Sequence, residues 1–255
     1  MQQLAPYELA LVVIQTVLLS MLIGRLWITG LHRVYPYFFG FVWANLAQQI
    51  ANSSVPYRGR AYPYVWVATE AMVLCFYALV ITELYQGILR ELPGIASVSR
   101  RYLKVAFGVA VLVSLVLLVL EESPKNYVST FLVIERAISC AVVLVVLLMI
   151  AFLVYYPVPL STNVVVYFVG YATYFLAKTA ALLVRTLGHY VLHEITNVLM
   201  AVFSSCLLLW IIGLNRRGEL RKVVVGHKWN LQEEEQILAK LRQINSTLLG
   251  GSKKY

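Results

Sequence analysis

Of the 255 residues, 60% are apolar and 13% are charged, with a mean hydropathy of +0.76. A soluble domain of that length cannot hide so much apolar surface, so the bilayer must be the solvent for much of the chain. The formal charge of +9 gathers largely in one loop and in the tail. Membrane topology demands that pattern, which argues against a nucleic-acid-binding surface.

In chain order, apolar runs of about the twenty residues needed to cross hydrocarbon fall at 7–29, 34–53, 62–86, 102–120, 127–154, 162–186 and 190–214. Proline, glycine or charge interrupts them at Gly30 to Pro36, Pro56 to Pro63, Pro93 to Lys104, Glu121 to Lys125, Pro157 to Pro159 and Gly188 to His189. Backbone groups in lipid must be satisfied within the structure, so each run is expected to be a helix. The expected fold is therefore all-α, a polytopic bundle of seven transmembrane helices over 1–214, followed by a basic juxtamembrane segment and tail helix over 215–255. Tyr and Trp mark many run ends, among them Trp27, Tyr35, Tyr62, Tyr85, Tyr155 and Trp210, as an interfacial belt does. No basic residue precedes Arg25 and no small-residue cleavage site follows the first run, so that run reads as a span rather than a signal peptide. Cys75, Cys140 and Cys206 all fall in apolar runs and read as reduced packing residues.

Lysine and arginine set the expected direction. Arg90, Arg100, Arg101 and Lys104 crowd the third loop, and Arg216, Arg217, Arg221 and Lys222 open the tail. The fourth loop instead sets Glu121 and Glu122 against Lys125. The positive-inside rule then places the N-terminus outside and the tail in the cytoplasm, for a multi-pass protein of the plasma or cytoplasmic (inner) membrane. Arg25 and Arg33 agree with that direction; Arg58 and Arg60 oppose it.

At about 1.5 Å per residue, Gln15, Asn45, Glu70, Glu135 and Lys178 each lie roughly 12 Å inside the outer boundary, and Asn197 lies at a similar depth. Such groups inside a membrane are buried in the bundle, paired or used. Helical spacing aligns Tyr167, Tyr171, Tyr174, Lys178 and Arg185 on one stripe of the sixth run. It does the same for Asn45, Gln48 and Asn52 in the second, for Trp66, Glu70 and Tyr77 in the third, and for His189, His193, Asn197 and Ser204 in the seventh. Glu70 and Glu135 are the expected partners of the Lys178 ammonium. The expected ligand site is an outward-facing polar pocket of Gln15, Asn45, Gln48, Glu70, Tyr77, Glu135, Arg136, Tyr171, Tyr174, Lys178, Arg185, His193 and Asn197. The simpler alternative is a charge-balanced network that only locks the bundle. The fourth run has no polar face and is expected against lipid.

Two segments repeat. "YFFGFVWANLAQ" from Tyr37 and "YFVGYATYFLAK" from Tyr167 share Tyr, Phe, Gly, Leu and Ala in register, pairing Gln48 with Lys178. "VVIQT" and "LVIER" pair Gln15 with Glu135, and the third and seventh runs align loosely. Parallel three-helix units over 1–90 and 125–214, joined by the fourth run, follow from this. A three-one-three layout with the N-terminus outside resembles the sugar transporters and PQ-loop proteins. That family carries Pro-Gln in its first and fifth helices; this chain has no Pro-Gln dipeptide, so no residue role is carried over.

"HYVLHE" sets His189 and His193 one turn apart with Glu194 beside them, a spacing that two zinc ligands can use. Seven-helix zinc hydrolases of the ceramidase and adiponectin-receptor type need a further early histidine at the metal's depth. His32 lies at the opposite end, so no metal is expected. Lys178 is in the sixth run rather than the seventh, so it does not match the retinal lysine of rhodopsins. In the tail, Asn230 is a fair N-cap, and Leu231, Leu238, Leu241, Asn245 and Leu248 fall at a and d positions. Residues 231–249 are therefore expected to lie on the bundle or bilayer, or to dock a cytoplasmic protein or a second copy.

No complete catalytic set is present, so neither an enzyme nor a cofactor is expected. The favoured function is a receptor or sensor for a small polar or anionic ligand, signalling through its tail. A small-solute transporter and a non-catalytic subunit of a larger membrane complex are the alternatives.

Overall fold

A computed structural model describes residues 6–56, 59–89, 127–155, 158–187 and 192–225, with 108, 239, 243 and 246 as isolated positions. Of the described residues, 88% are helical. The long helices are α1 (Pro6–Ile28), α2 (Pro36–Ser54), α3 (Tyr62–Ile88), α4 (Tyr127–Tyr155), α5 (Thr162–Leu187) and α6 (Leu192–Gly213). A short α7 (Arg216–Leu220) follows, and a 3₁₀ turn (Leu31–Arg33) links α1 to α2. These limits agree with six of the expected runs to within two residues. The fourth run, 102–120, lies outside the described residues, as does the tail helix save helical Ala239, Gln243 and Ser246.

Local chemistry accounts for the boundaries. Pro36 occupies the first turn of α2, where its missing N–H costs nothing. Gly30 takes φ +74°, a left-handed turn that lets the chain leave α1. Five helices are long and apolar enough to cross a membrane: Tyr7–Ile28, Tyr62–Ile88, Thr130–Tyr155, Thr162–Leu182 and Ile195–Gly213. The chain is a helical protein built for several crossings. α2 falls short of that group because Asn45, Gln48, Gln49, Asn52, Ser53 and Ser54 interrupt its apolar face. It packs between α1 and α3, where partner helices replace lipid.

Each helix packs on the next, and α6 closes the ring on α1. α1, α3, α4 and α6 run from the Glu8 end of the bundle to the Arg25 end; α2 and α5 return. The interior between them is aromatic, with Phe38, Phe41, Tyr77, Tyr167, Tyr171, Phe175 and Trp210 fully buried. Two glycines admit large rings: a Cβ on Gly40 would run into Phe76, and one on Gly170 into the Trp210 indole.

Neither of two short strands was expected. β1 (Val158–Ser161), in the proline break before α5, pairs antiparallel with β2 (Lys222–Val225), from Val158 opposite Val225 to Ser161 opposite Lys222. The run "KVVV" reads as basic tail, yet its β-branched residues suit a strand once a neighbour offers a ladder. The Thr162 N–H extends the pairing by donating to the Arg221 carbonyl at 2.9 Å.

Gly170→Ala should therefore destabilise the bundle by about 1–3 kcal/mol through overpacking against Trp210. Gly24→Ala, with nothing within 4 Å of the added methyl, should be neutral or stabilise slightly. Thermal unfolding of both variants in detergent reads the difference; equal melting temperatures would contradict this packing.

Candidate functional site

Lys178 lies at the junction of α3, α4 and α5. Its Nζ donates to Glu70 Oε1 at 2.8 Å and to the Tyr77 hydroxyl at 2.8 Å, and pairs with Glu135 Oε1 at 3.0 Å. It also stands 4.7 Å from the centre of the Tyr77 ring. An ammonium has three protons to give, and three oxygens take them. Gln48 in α2 donates from Nε2 to Glu70 Oε2 at 2.6 Å, so four helices contribute. The Tyr77 and Tyr174 hydroxyls are 3.1 Å apart, and Tyr171 donates to the Tyr77 carbonyl at 3.0 Å. Glu70, Glu135 and Lys178 are all buried.

Seven of the expected site residues thus meet: Gln48, Glu70, Tyr77, Glu135, Tyr171, Tyr174 and Lys178. Others at the same depth do not. Asn45 turns back onto its own helix, donating to the Phe41 carbonyl at 2.7 Å. Gln15 donates to the Met200 carbonyl of α6 at 2.9 Å and lies 3.5 Å from Gln49, a second polar knot at the junction of α1, α2 and α6. Arg136 and Asn197 are half-buried. His189 lies outside the described residues, as do the side chains of Arg185, His193 and Glu194. Among the described residues, no cluster of three His, Cys, Asp or Glu side chains could hold a metal.

A second polar system, outside the expected site, occupies the Arg25 end. Glu83 of α3 is buried against the start of α2 and accepts the N–H groups of Tyr37 and Phe38, both at 2.9 Å. A carboxylate there satisfies open helix donors and meets the positive end of the helix dipole. Tyr167 adds its hydroxyl to the same carboxylate at 3.2 Å. Beside it, Tyr35 donates to Glu219 Oε2 at 2.8 Å, and Asn163 reaches that oxygen at 3.3 Å and the Asn215 carbonyl at 2.8 Å. Burial, and then the bond to Glu219, push the Tyr35 phenol well above its ordinary value, so it stays a neutral donor at ordinary pH. Asn215 caps α7 by accepting from Gly218 N at 2.7 Å.

This system walls a cavity of about 740 Å³ whose lining includes Arg33, Tyr35, Glu83, Gln86, Glu219 and Lys222. Val164 lines it and Lys178 stands fourteen residues further along α5, roughly 20 Å away. Glu83 lies near a run end and Glu219 within the basic tail, where neither depth nor helical spacing marks them as site residues. The available signal was Asn215, a strong N-cap type three residues before Gly218 and four before Glu219.

Removing one member of a buried ion cluster leaves charge without a partner, at about 3–5 kcal/mol, whereas replacing the whole set by neutral residues costs much less. Lys178→Met should therefore lower the melting temperature sharply, and adding Glu70→Gln and Glu135→Gln should restore most of it. A triple variant less stable than Lys178→Met alone would overturn this account of the cluster.

Comparison with known protein families, with curated proteins and with solved structures yields no match.

Proposed function

We propose that the protein is a seven-span membrane sensor that binds its ligand at the Arg25 end and signals through its tail. One observation carries the reading. The cavity is walled by Glu219 and Lys222, on the short segment through which the chain passes from α6 to the tail. Material that fills the cavity presses on that segment directly. Tyr35 and Asn163, anchored in the bundle, hold Glu219 in place, so displacing the carboxylate would free α7 and β2 together. The proposed binding site thus moves away from the expected outward pocket, since the Lys178 ammonium has no proton left to offer. The Lys178 cluster serves in this reading as the fixed frame against which the other end responds.

The direction of the helices supports seven crossings. α3 ends at the Arg25 end and α4 begins at the Glu8 end, so the link from Leu89 to Tyr127 joins opposite ends of the bundle. The apolar run at 102–120 suits that return. Arg25, Arg33, Arg216, Arg217, Arg221 and Lys222 share one end, which supports a cytoplasmic tail, an external N-terminus and a place in the plasma or inner membrane.

A transporter is the second reading. It is favoured by the ring order, in which α1, α2 and α3 have the same neighbour relations as α4, α5 and α6, as a parallel repeat requires. Uptake into proteoliposomes above that of empty vesicles would support it over the sensor.

Tyr35→Phe removes one bond between bundle and tail and Glu219→Ala removes two, and a hydrogen bond to a charged group contributes about 1.5–3 kcal/mol. Each should speed limited proteolysis beyond residue 225 about tenfold or more in nanodiscs, with the bundle's melting temperature little changed. Cleavage at the wild-type rate in both variants would sink the proposed coupling.

A further inference from the structure

The cavity's chemistry narrows what it can bind. Its two carboxylates are committed inside the wall: Glu83 accepts two backbone N–H groups and the Tyr167 hydroxyl, and Glu219 accepts from Tyr35 and Asn163. The phenol of Tyr35 is spent on Glu219. What faces the opening is donor-rich. Arg33 is exposed, and its guanidinium makes no ion pair among the described residues; Lys222 is exposed on the facing strand. Arg25, Arg216, Arg217 and Arg221 stand at the same end and add to a positive field that draws anions. The remaining wall is apolar, with Val34, Pro36, Leu160 and Val164. Exposed Trp27 and Tyr37 sit at that end as interfacial anchors, which places the opening at headgroup level.

Resting on the sensor reading of this cavity, we propose that it binds a phosphate-bearing amphiphile, with the phosphate between Arg33 and Lys222 and the apolar part along Val34, Leu160 and Val164. A guanidinium fork takes two phosphate oxygens at once, and a lysine ammonium supplies a point charge to a third. The same chemistry is offered by a phospholipid of the surrounding bilayer and by a soluble phosphoester.

The test uses the full chain purified in detergent, with dihexanoyl phosphatidic acid and inorganic phosphate as probes and calorimetric titration as readout. Dihexanoyl phosphatidic acid should bind, and Arg33→Gln and Lys222→Gln should each weaken it about tenfold, the scale of one charge-assisted contact. Nanodiscs then separate the sources. If phosphatidylglycerol nanodiscs block the probe and phosphatidylcholine ones do not, the phosphate comes from the bilayer; if neither blocks it and inorganic phosphate competes, the ligand is soluble. Absence of binding, or equal affinity in wild type and both variants, overturns the proposal. Val34→Trp, which fills the cavity from an exposed lining position, keeps the two readings apart. If it changes tail proteolysis while no phosphate probe binds, the sensor stands and this ligand class falls. If the probe binds through Arg33 while neither probe nor Val34→Trp alters the tail, the ligand class stands and the sensor falls.

Discussion

An ammonium in a membrane interior must find partners for all its protons, and that requirement organises this protein. Lys178 meets it with oxygens from α3 and α4, while Gln48 of α2 holds the second oxygen of Glu70. Because no helix supplies the whole set, the partners can be satisfied only when the helices stand in one rotational setting and at one depth. Buried polar contacts of this kind constrain register more surely than they add stability. The aromatic interior fits that setting: Phe175 packs edge-on to Tyr77 at 4.5 Å between ring centres, and Phe38 meets Tyr167 at 4.4 Å.

Two polar knots lie at this level. In sequence, "VVIQT" and "LVIER" set Gln15 opposite Glu135, and "YFFGFVWANLAQ" and "YFVGYATYFLAK" set Gln48 opposite Lys178. At one knot, amides join α1 and α2 to the backbone of α6; at the other, charges join α4 and α5 to side chains of α3. The amide knot is neutral and asks little of its surroundings, whereas the charged one must be fully enclosed.

Helix positions were legible in the sequence because lipid leaves the backbone few options and proline, glycine and charge mark the ends. The pairing of Lys178 with Glu70 and Glu135 was legible for the same reason: depth follows from residue count along a straight helix. Azimuth was less so. Asn45 has the right depth, but its amide closes on its own backbone, and Gln15 faces α6 rather than the cluster. Depth arithmetic cannot distinguish these outcomes without neighbours. The Arg25 end was harder still, because its network depends on residues up to 184 positions apart, such as Tyr35 and Glu219. No periodicity links them, and the strand pair joins segments that lie on either side of α5 and α6 in the chain.

The pairing of β1 with β2 fastens the segment after α6 to the segment entering α5, the helix whose far half carries Lys178. That helix is a tie-rod about 24 Å long between an electrostatic clamp and a backbone clamp. A rod held at both ends resists stretch and bending. With both in place, α5 is located at two levels of the bundle by bonds of different kinds, one set between side chains and one between backbones.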